Sequence, residues 1–320
     1  GHGPTRFGYV CIVCDGMGGH AAGEVASAMA VRTVHDEVKR ERELLADYVS
    51  GATGAQRVTA RDIVALLEHA VQVACAKIHQ EAQADIQKRG MGTTLSCLLI
   101  LGQQGFIAHV GDSRIYMERE GRVQQVTEDH TVQNELIKRG KLTKEQIEKV
   151  AQKNAITRAV GVYERVEVDT LMLEVLTGDI FVLMSDGLAS YLESAEELDA
   201  YLAQGGDACV KSLVQLANQR GGRDNITVVV VKLGEEGAAD DARAKRLALQ
   251  RDVLAKMPIF ARLTERELLR VMQICEVRAF APRGLVIRDG DKGDQLFLGL
   301  SCAAPVSRAV AMAASSITAL

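Results

Sequence analysis

The sequence predicts an α+β fold in which two antiparallel β-sheets stack on each other and helices pack outside them. Several short apolar runs are joined by glycine-bearing turns, which is typical of antiparallel strands. Two longer segments place apolar residues at helical spacing. The strands are so apolar that both of their faces need cover, and a β-sandwich with helices outside provides it.

The predicted elements follow one another along the first 233 residues. Strands are predicted at 7–14, 93–101, 105–110, 113–119, 165–175, 180–187 and 226–233. Helices are predicted at 23–45, at about 60–88 and around 194–220. Residues 127–160 are polar and are expected to be helical in part.

The composition is that of an ordinary globular protein, and it argues against nucleic acid and anionic membranes as partners. The 320 residues are 25% charged and 47% hydrophobic, with a formal net charge of -4. Without a polybasic signature, neither nucleic acid nor an anionic membrane is expected as a partner. No run approaches the roughly 18 apolar residues of a membrane span, and the start has no secretory pattern. We therefore expect a cytoplasmic protein.

The seven cysteines are odd in number and lie in apolar runs, which argues against a disulfide framework. Cys11 and Cys14 form a C-x-x-C within the strand-like run YVCIVC. Residues three apart on a strand face opposite sides, so the two thiols are expected to point apart. We interpret both as small core residues.

Three aspartates share one local setting, at the tip of an apolar strand beside glycine. Asp15 and Asp186 end strands and precede Gly16 and Gly187, and Asp224 follows two glycines and begins the last strand. Antiparallel strands could bring the three tips to one edge. Flanking glycine would let a cation or a phosphate approach the main chain.

Clustered carboxylates repel one another unless a divalent cation neutralises them. Oxygen ligands suit Mg²⁺ or Mn²⁺ rather than zinc. Asp-Gly is also a common turn dipeptide, and each pair alone is more often a turn. Three such sites inside longer glycine-rich blocks favour the metal interpretation.

Seven blocks occur in the order found in one known family. They are VCDGMGGHAAGEVAS (13–27), MGTTLSCLLI (91–100), AHVGDSRIYM (108–117), VTEDHT (126–131), ITRAVG (156–161), FVLMSDGL (181–188) and GGRDNITVVVV (221–231). Through them the chain resembles the bacterial type 2C (PPM) metal-dependent serine/threonine protein phosphatases over residues 7–233.

The resemblance implies a four-layer αββα sandwich and gives each matching aspartate a role. In the family, the aspartate of the first D-G bridges two metal ions and the glycine carbonyl completes one shell, here Asp15 and Gly16. The aspartates of S-D-G and R-D-N-I-T, here Asp186 and Asp224, hold the first metal. Bacterial members often have a third, weaker site at the aspartate of G-D-S-R, here Asp112. A turn-forming aspartate is an equally good interpretation of that residue.

The resemblance also implies a mechanism. A water that bridges two Mn²⁺ or Mg²⁺ ions attacks the phosphorus of phosphoserine or phosphothreonine, with the three metal-holding aspartates as the catalytic residues. Asn225 and Thr227 are expected to hold the loop of Asp224 from outside the coordination shell. Residues 127–160 match the variable flap beside the family's active site. The partners would be phosphoproteins, chiefly substrates of a cognate serine/threonine kinase.

Family members normally begin with a block upstream of the first D-G. Its arginine grips the substrate phosphate, and one of its acids ligates the second metal. Since this chain starts only fourteen residues before Asp15, we expect it to lack that motif and one or two N-terminal strands. The alternative function is therefore a catalytically impaired pseudo-phosphatase or a regulatory binding module, nucleotide-gated in a full-length parent.

A loss of apolar pattern sets the predicted domain boundaries. We predict a phosphatase domain at 1–233, a linker at 234–242 and a small helical/β appendage at 243–299. Residues 257–298 resemble the opening of a cyclic-nucleotide-binding domain, through a P-I-F-x-x-L helix and the I-R-D-G-D and G-D-x-L-F strands. Its phosphate-binding cassette is absent, so cyclic nucleotide is expected only for a complete domain. Residues 300–320 are expected to be a non-native or disordered tail.

Overall fold

The computed structural model describes residues 2–4, 8–51, 57–140, 146, 154–234, 238–278, 281 and 286. The chain divides into two units, residues 1–237 and 238–320. Among the described residues, no helix has both the length and the apolar character needed to cross a membrane.

The first unit is built on antiparallel sheets. Its described strands are β1 (His2–Pro4), β2 (Gly8–Val13), β3 (Gly16–Met17), β4 (Gly92–Thr93), β5 (Leu95–Leu101), β6 (Gln104–Val110), β7 (Arg114–Arg119), β8 (Arg122–Gln125), β9 (Asp169–Glu174), β10 (Ile180–Met184) and β11 (Val228–Lys232). One sheet has the order β1-β2-β5-β6-β9, a second has the order β11-β10-β7-β8, and β3 pairs with β4. All of these pairings are antiparallel.

Helices occupy both units. The described α-helices are α1 (His20–Arg40), α2 (Arg42–Ser50), α3 (Ala60–Ala84), α4 (Val132–Lys138), α5 (Asp186–Ala189), α6 (Asp199–Leu202), α7 (Gly206–Gln219), α8 (Ala238–Lys256) and α9 (Glu265–Ile274). Short 3₁₀ turns lie at Ile86–Lys88 and Ala195–Leu198. A capping box between Thr59 and Asp62 starts α3.

This architecture confirms the predicted α+β class with antiparallel sheets and helices. Each predicted strand overlaps a described one. The helical stretch predicted around 194–220 consists of a 3₁₀ turn, the short helix α6 and the longer helix α7. Gly205 and Gly206, which both have positive φ, separate the two α-helices. Strand β8 has no counterpart in the sequence-based assignment. Of its residues only Val123 is buried, so its apolar signal is weak.

One core lies between the five-stranded sheet and helices α1 and α3. Helix α1 contributes a buried residue at every fourth position: Ala22, Ala26, Ala30, Val34 and Val38. Strand β2 contributes Val10 and Ile12 from the same face of the sheet. The small side chains let α1 approach its neighbours closely. This packing places the start of α1 beside the end of β2, where Asp15 lies.

A second core lies between the four-stranded sheet and helices α5 to α7. Strand β10 contributes Val182 and Met184, and α7 contributes Cys209, Leu213 and Ala217 at four-residue spacing. These residues are buried. Helix α5, which begins at the predicted site, is therefore packed against the strand that precedes it.

The second unit contains α8 and α9 among its described residues. A capping box between Thr264 and Glu267 starts α9, and Arg251 of α8 pairs with Glu265. Residues 238–242, which the sequence assigns to a linker, are helical. Most of the predicted strand region of the appendage, and the whole tail at 300–320, fall outside the described residues.

Candidate metal centre

Asp15 lies two residues beyond the end of β2. Its main-chain N–H donates to Thr94 Oγ1 at 2.9 Å. Its carbonyl oxygen accepts from the Thr94 N–H and from Thr93 Oγ1, both at 2.8 Å. Both threonines are buried. Hydrogen bonds to buried groups therefore fix the main chain of Asp15 on both sides.

The glycines of the two D-G pairs allow main-chain segments to pack closely. A Cβ atom on Gly16 would lie 1.9 Å from the carbonyl oxygen of Gly23 in α1. A Cβ atom on Gly187 would lie 2.3 Å from the carbonyl oxygen of Asn225. We expected these glycines to admit a cation or a phosphate to the main chain. On the Cβ side the protein's own backbone fills the space, and access of a cation or a phosphate to the main chain stays a prediction.

Asp186 follows Ser185 at the end of β10 and opens helix α5. The Ser185 N–H donates to the Thr227 carbonyl at 3.0 Å, and the Thr227 N–H donates to Ser185 Oγ at 3.0 Å. Ser185 Oγ also donates to the Asn225 carbonyl at 3.1 Å. One buried serine thus ties the turn of Asp186 to the loop that carries Asp224.

Asp224 lies in an exposed loop, four residues before β11 begins at Val228. The sequence predicted Asp224 at the start of that strand. The strand begins later, because Asn225 and Thr227 bond to Ser185 instead of to a neighbouring strand. Asp224 Oδ1 accepts from the Asn225 N–H at 2.7 Å. Asn225 and Thr227 therefore contact the site through main-chain atoms.

Asp186, Asp224 and Asp112 are close enough to Asp15 for their charges to act on it. The pKa of Asp15 is raised to about 8, first by burial, next by a hydrogen-bond contact with the side chain of Asp186 and by its charge, and then by the charges of Asp224 and Asp112. Residues from four separate blocks, up to 209 positions apart in number, therefore share one electrostatic environment.

Asp112 lies in the turn between β6 and β7, after Gly111, whose φ is 104°. Burial raises the pKa of Asp112 to about 6, and the charges of Asp186 and Asp129 add to that rise, whereas Arg114 opposes it. Asp112 is thus both a turn residue and a neighbour of Asp186. The two interpretations left open by the sequence are compatible.

The donor set fits a hard divalent cation. Asp186 Oδ1 is buried and has no hydrogen-bond partner, although the side chain of Asp15 is within hydrogen-bond reach. Two carboxylates this close need a proton or a cation between them, because an unpaired buried charge is costly. Within the described parts of the chain, no three histidine, cysteine or acidic side chains already form a metal-holding group. The contacts are pairwise, and their oxygen atoms suit Mg²⁺ or Mn²⁺.

Sequence reasoning missed the polar residues that hold this centre together. They are buried hydroxyl groups in otherwise apolar strands, beside the aspartate turns: Thr93, Thr94, Ser113 and Ser185. A hydroxyl group in a buried run must find a partner. That requirement is the signal that could have identified them.

The cysteines next to the centre are not nucleophiles. Burial raises the pKa of Cys14, adjacent to Asp15, to about 12, and it also raises that of Cys11. Both thiols are free. They therefore stay protonated at neutral pH, as expected for core residues.

An antiparallel α+β domain with carboxylates gathered at its strand ends defines the class of carboxylate-centred, metal-dependent enzymes. The sequence model of the family described as "Protein phosphatase 2C" matches residues 4–217. This chain belongs to that family.

Relatives and solved structures agree with the assignment. The chain is 39% identical over 230 residues to protein phosphatase PhpP of Streptococcus pneumoniae, covering 71% of this chain and 87% of that protein. The serine/threonine phosphatase of S. agalactiae matches with a TM-score of 0.63 and 34% identity, over 73% of this chain and 91% of that one. The catalytic domain of the phosphatase PstP, in complex with two manganese ions, matches with a TM-score of 0.56 and 31% identity, over 73% and 91%.

The predicted function, a protein serine/threonine phosphatase, is confirmed by this membership. The chain is a hydrolase that acts on phosphoproteins. The family match ends at residue 217, so the cyclic-nucleotide resemblance of residues 257–298 stays a prediction.

Proposed function

We propose that this chain hydrolyses phosphoserine and phosphothreonine in proteins at a binuclear centre held by Asp15, Asp186, Asp224 and the carbonyl of Gly16. When bound, Mn²⁺ or Mg²⁺ would lower the pKa of a water molecule, orient the phosphate and offset its charge in the transition state. The manganese-bound PstP domain supports a centre of two ions in a related chain.

The observation that carries this proposal is the contact between Asp15 and Asp186. One of the two carboxylates contributes a buried oxygen without a donor, Asp186 Oδ1. In the metal-free protein, the raised pKa of Asp15 keeps a proton at this pair. Binding of a cation would displace that proton. The same two side chains would then hold the cation in place of the proton.

Asp112 is proposed as a ligand of a third, weaker site beside Asp186. Burial raises its pKa to about 6, and the charge of Asp186 adds to that rise. Its main chain is held from the Thr94 side, since Thr94 Oγ1 lies 2.6 Å from the hydroxyl oxygen of the following residue, Ser113. The turn is therefore connected to the residue that fixes Asp15.

Asn225 and Thr227 are proposed as residues that hold the Asp224 loop from outside the coordination shell. Their contacts with Ser185 run through carbonyl and N–H groups. A substitution that keeps the main chain in place should therefore be tolerated at either position.

We further infer the layer order helix, sheet, sheet, helix for residues 1–233. Leu98 and Phe181 support it, because both are fully buried although neither belongs to a helix-facing cluster. Their burial requires a second sheet as cover. The linker at 234–242, the partial cyclic-nucleotide-binding segment at 243–299 and the tail at 300–320 remain proposals.

The proposed partners are phosphoproteins made by a cognate serine/threonine kinase, in the cytoplasm. The net charge of -4 gives no attraction for nucleic acid or an anionic membrane. The proposed flap at 127–160 would contact the substrate. Among its described residues is the helix α4, which begins at Thr131 through a side-chain cap to the Asn134 N–H.

Mn²⁺ calorimetry and release of phosphate from a phosphothreonine peptide test the proposal on the full chain. We expect Mn²⁺ uptake and metal-dependent turnover. Both should be lost in Asp186→Asn and kept in Asp207→Asn, which changes an exposed acid on α7 outside the centre. A folded wild-type protein that takes up no Mn²⁺ would overturn the proposal. Uptake without turnover would instead support the regulatory binding module.

A further inference from the structure

We propose that His130 is a positioning residue that fixes the Gly111–Asp112 turn, so that the Asp112 carboxylate is held beside Asp186. This inference rests on the proposed metal-binding role of those two aspartates. It assigns His130 no contact with substrate or metal.

The contact between His130 and Gly111 is reciprocal. The Gly111 N–H donates to His130 Nδ1 at 3.1 Å, and the His130 N–H donates to the Gly111 carbonyl at 2.8 Å. His130 is 5% exposed, so both bonds are shielded from water. Two bonds in opposite directions fix the position and the orientation of the peptide group that precedes Asp112.

The turn has no room to adjust on its other side. Gly111 has a φ of 104°, and a Cβ atom there would lie 2.7 Å from Thr94 Cβ. The residue is thus held between the imidazole of His130 and the side chain of Thr94.

The hydrogen bonds also determine the tautomer of His130. Because Nδ1 accepts from an amide, it carries no proton, and the ring proton of the neutral imidazole is on Nε2. Nε2 lies 3.4 Å from Asp169 Oδ2. Arg158 donates to Asp169 Oδ1 at 3.0 Å. Nη1 of Arg158 also lies 3.3 Å from Nε2, so Asp169 and Arg158 together surround this side of the ring.

Asp129, the residue before His130, is connected through Arg114 to the helix that begins with Asp186. Asp129 accepts three hydrogen bonds from Arg114, at 2.7 to 3.0 Å, and Arg114 contacts the Ala189 carbonyl at 3.4 Å. Ala189 ends helix α5, which begins with Asp186. Two successive residues thus link the turn of Asp112 to the helix of Asp186. A histidine that merely filled the core would not need this placement.

Two substitutions of similar size, made in the full chain, test whether an acceptor is needed at the Nδ1 position of His130. In His130→Asn the amide oxygen is near the position of Nδ1 and can accept from Gly111. In His130→Gln the amide group is near the position of Nε2 and leaves the Gly111 N–H without a partner. We expect the weakest Mn²⁺ affinity measured by calorimetry to stay within about threefold in the asparagine variant. It should fall roughly 10–100-fold in the glutamine variant, the range for residues that support metal ligands.

A double-mutant cycle tests whether the effect acts through Asp112. In an Asp112→Asn background, His130→Gln should have no further effect on Mn²⁺ affinity. Equal losses in both backgrounds would overturn the inference, as would equal losses in the asparagine and glutamine variants. Thermal denaturation with EDTA provides the control, since a purely structural role would lower Tm in step with affinity.

Two measurements need no metal and keep this inference separate from the proposed function. Amide hydrogen exchange at Gly111 should be slow in the wild-type and His130→Asn proteins and fast in His130→Gln. Nitrogen-15 NMR of the wild-type protein should show His130 protonated at Nε2 only. A proton on Nδ1, or equal exchange in all three proteins, would overturn the positioning role. Failure of wild-type Mn²⁺ uptake would overturn the metal centre alone.

Discussion

The turn of Asp15 and the loop of Asp224 belong to the same proposed centre but are held by different kinds of bond. Around Asp15, side-chain hydroxyls of two buried threonines bond to the main chain. Around Asp224, the contacts are those of Ser185 with main-chain atoms, and the aspartate itself is exposed. One ligand is set by a core strand and the other by a surface loop.

This difference indicates how the centre assembles. The position of Asp15 is fixed by groups that cannot move without breaking a buried network, so it is ready before any cation binds. Asp224 can adjust by small changes in an exposed loop. We therefore expect the cation to complete the proposed centre by drawing in the Asp224 loop.

The largest effect is expected from removing a fixed ligand. Asp15→Asn should lower kcat/KM for a phosphothreonine peptide by roughly a thousandfold, because metal-derived stabilisation amounts to several kcal/mol. The loss of kcat/KM in Asp224→Asn should be smaller, since the loop that carries this residue can readjust. Peptide turnover across a Mn²⁺ titration checks both variants. An equal loss would mean that the two regions are equally rigid.

The second-largest effect is expected from removing the hydroxyl group of Thr94, which holds the main chain of Asp15. Thr94→Val keeps the shape of the side chain but leaves the Asp15 N–H without its acceptor. We expect a loss of about 1–3 kcal/mol in stability and a roughly 10–100-fold loss of Mn²⁺ affinity. Thr94→Ser keeps the hydroxyl and is the matched control. Calorimetry in which valine and serine behave alike would show that the hydroxyl does not position Asp15.

A smaller effect is expected where the Asp186–Gly187 turn meets the Asp224 loop. In Gly187→Ala the new methyl group would lie 2.3 Å from the Asn225 carbonyl oxygen. The loop must shift, at a cost of roughly 1–3 kcal/mol by analogy with overpacked cores. Urea unfolding measures this cost, and Mn²⁺ affinity should fall with it. Unchanged affinity despite lowered stability would show that the loop readjusts freely.

The smallest effect is a pH dependence of the metal-free protein. Asp15 has a pKa of about 8 in the folded state against an ordinary value of 3.8, and Asp112 has a pKa of about 6. The folded protein therefore holds these protons more tightly than the unfolded chain. Their stabilisation is complete below about pH 4 and is lost as pH rises through 6 and 8.

Tm in EDTA should accordingly fall between pH 5 and 8, by roughly 2–4 °C for each 1 kcal/mol of stability lost in a domain of this size. Asp15→Asn should flatten the decline, and saturating Mn²⁺ should remove it. A Tm that rises over this range with EDTA present would contradict the buried carboxylate pair.

Particular residues show how far the sequence leads. The D-G blocks identified Asp15 and Asp186, and the structure brings these side chains into contact. The short apolar runs identified β2, β5, β6 and β10. The β8 strand and the division of the 194–220 helix were missed, because a weak apolar signal and two glycines with positive φ do not show in periodicity.

The supporting residues were harder to predict for a physical reason. A threonine in an apolar run is equally consistent with an ordinary strand residue, and only its partner reveals a role. That partner, the main chain of Asp15, lies 79 positions away from Thr94. His130 is a similar case, since its acceptor nitrogen meets an amide 19 residues earlier.

The sequence by itself determined the family, the α+β class and the identity of the acidic residues, because these depend on residue types in fixed local order. Only the tertiary structure decided which carboxylates meet, which oxygen is left without a donor, and which hydroxyl and imidazole groups hold the turns. Those properties arise between residues distant along the chain, whose approach is set by packing of strands and helices rather than by any local pattern.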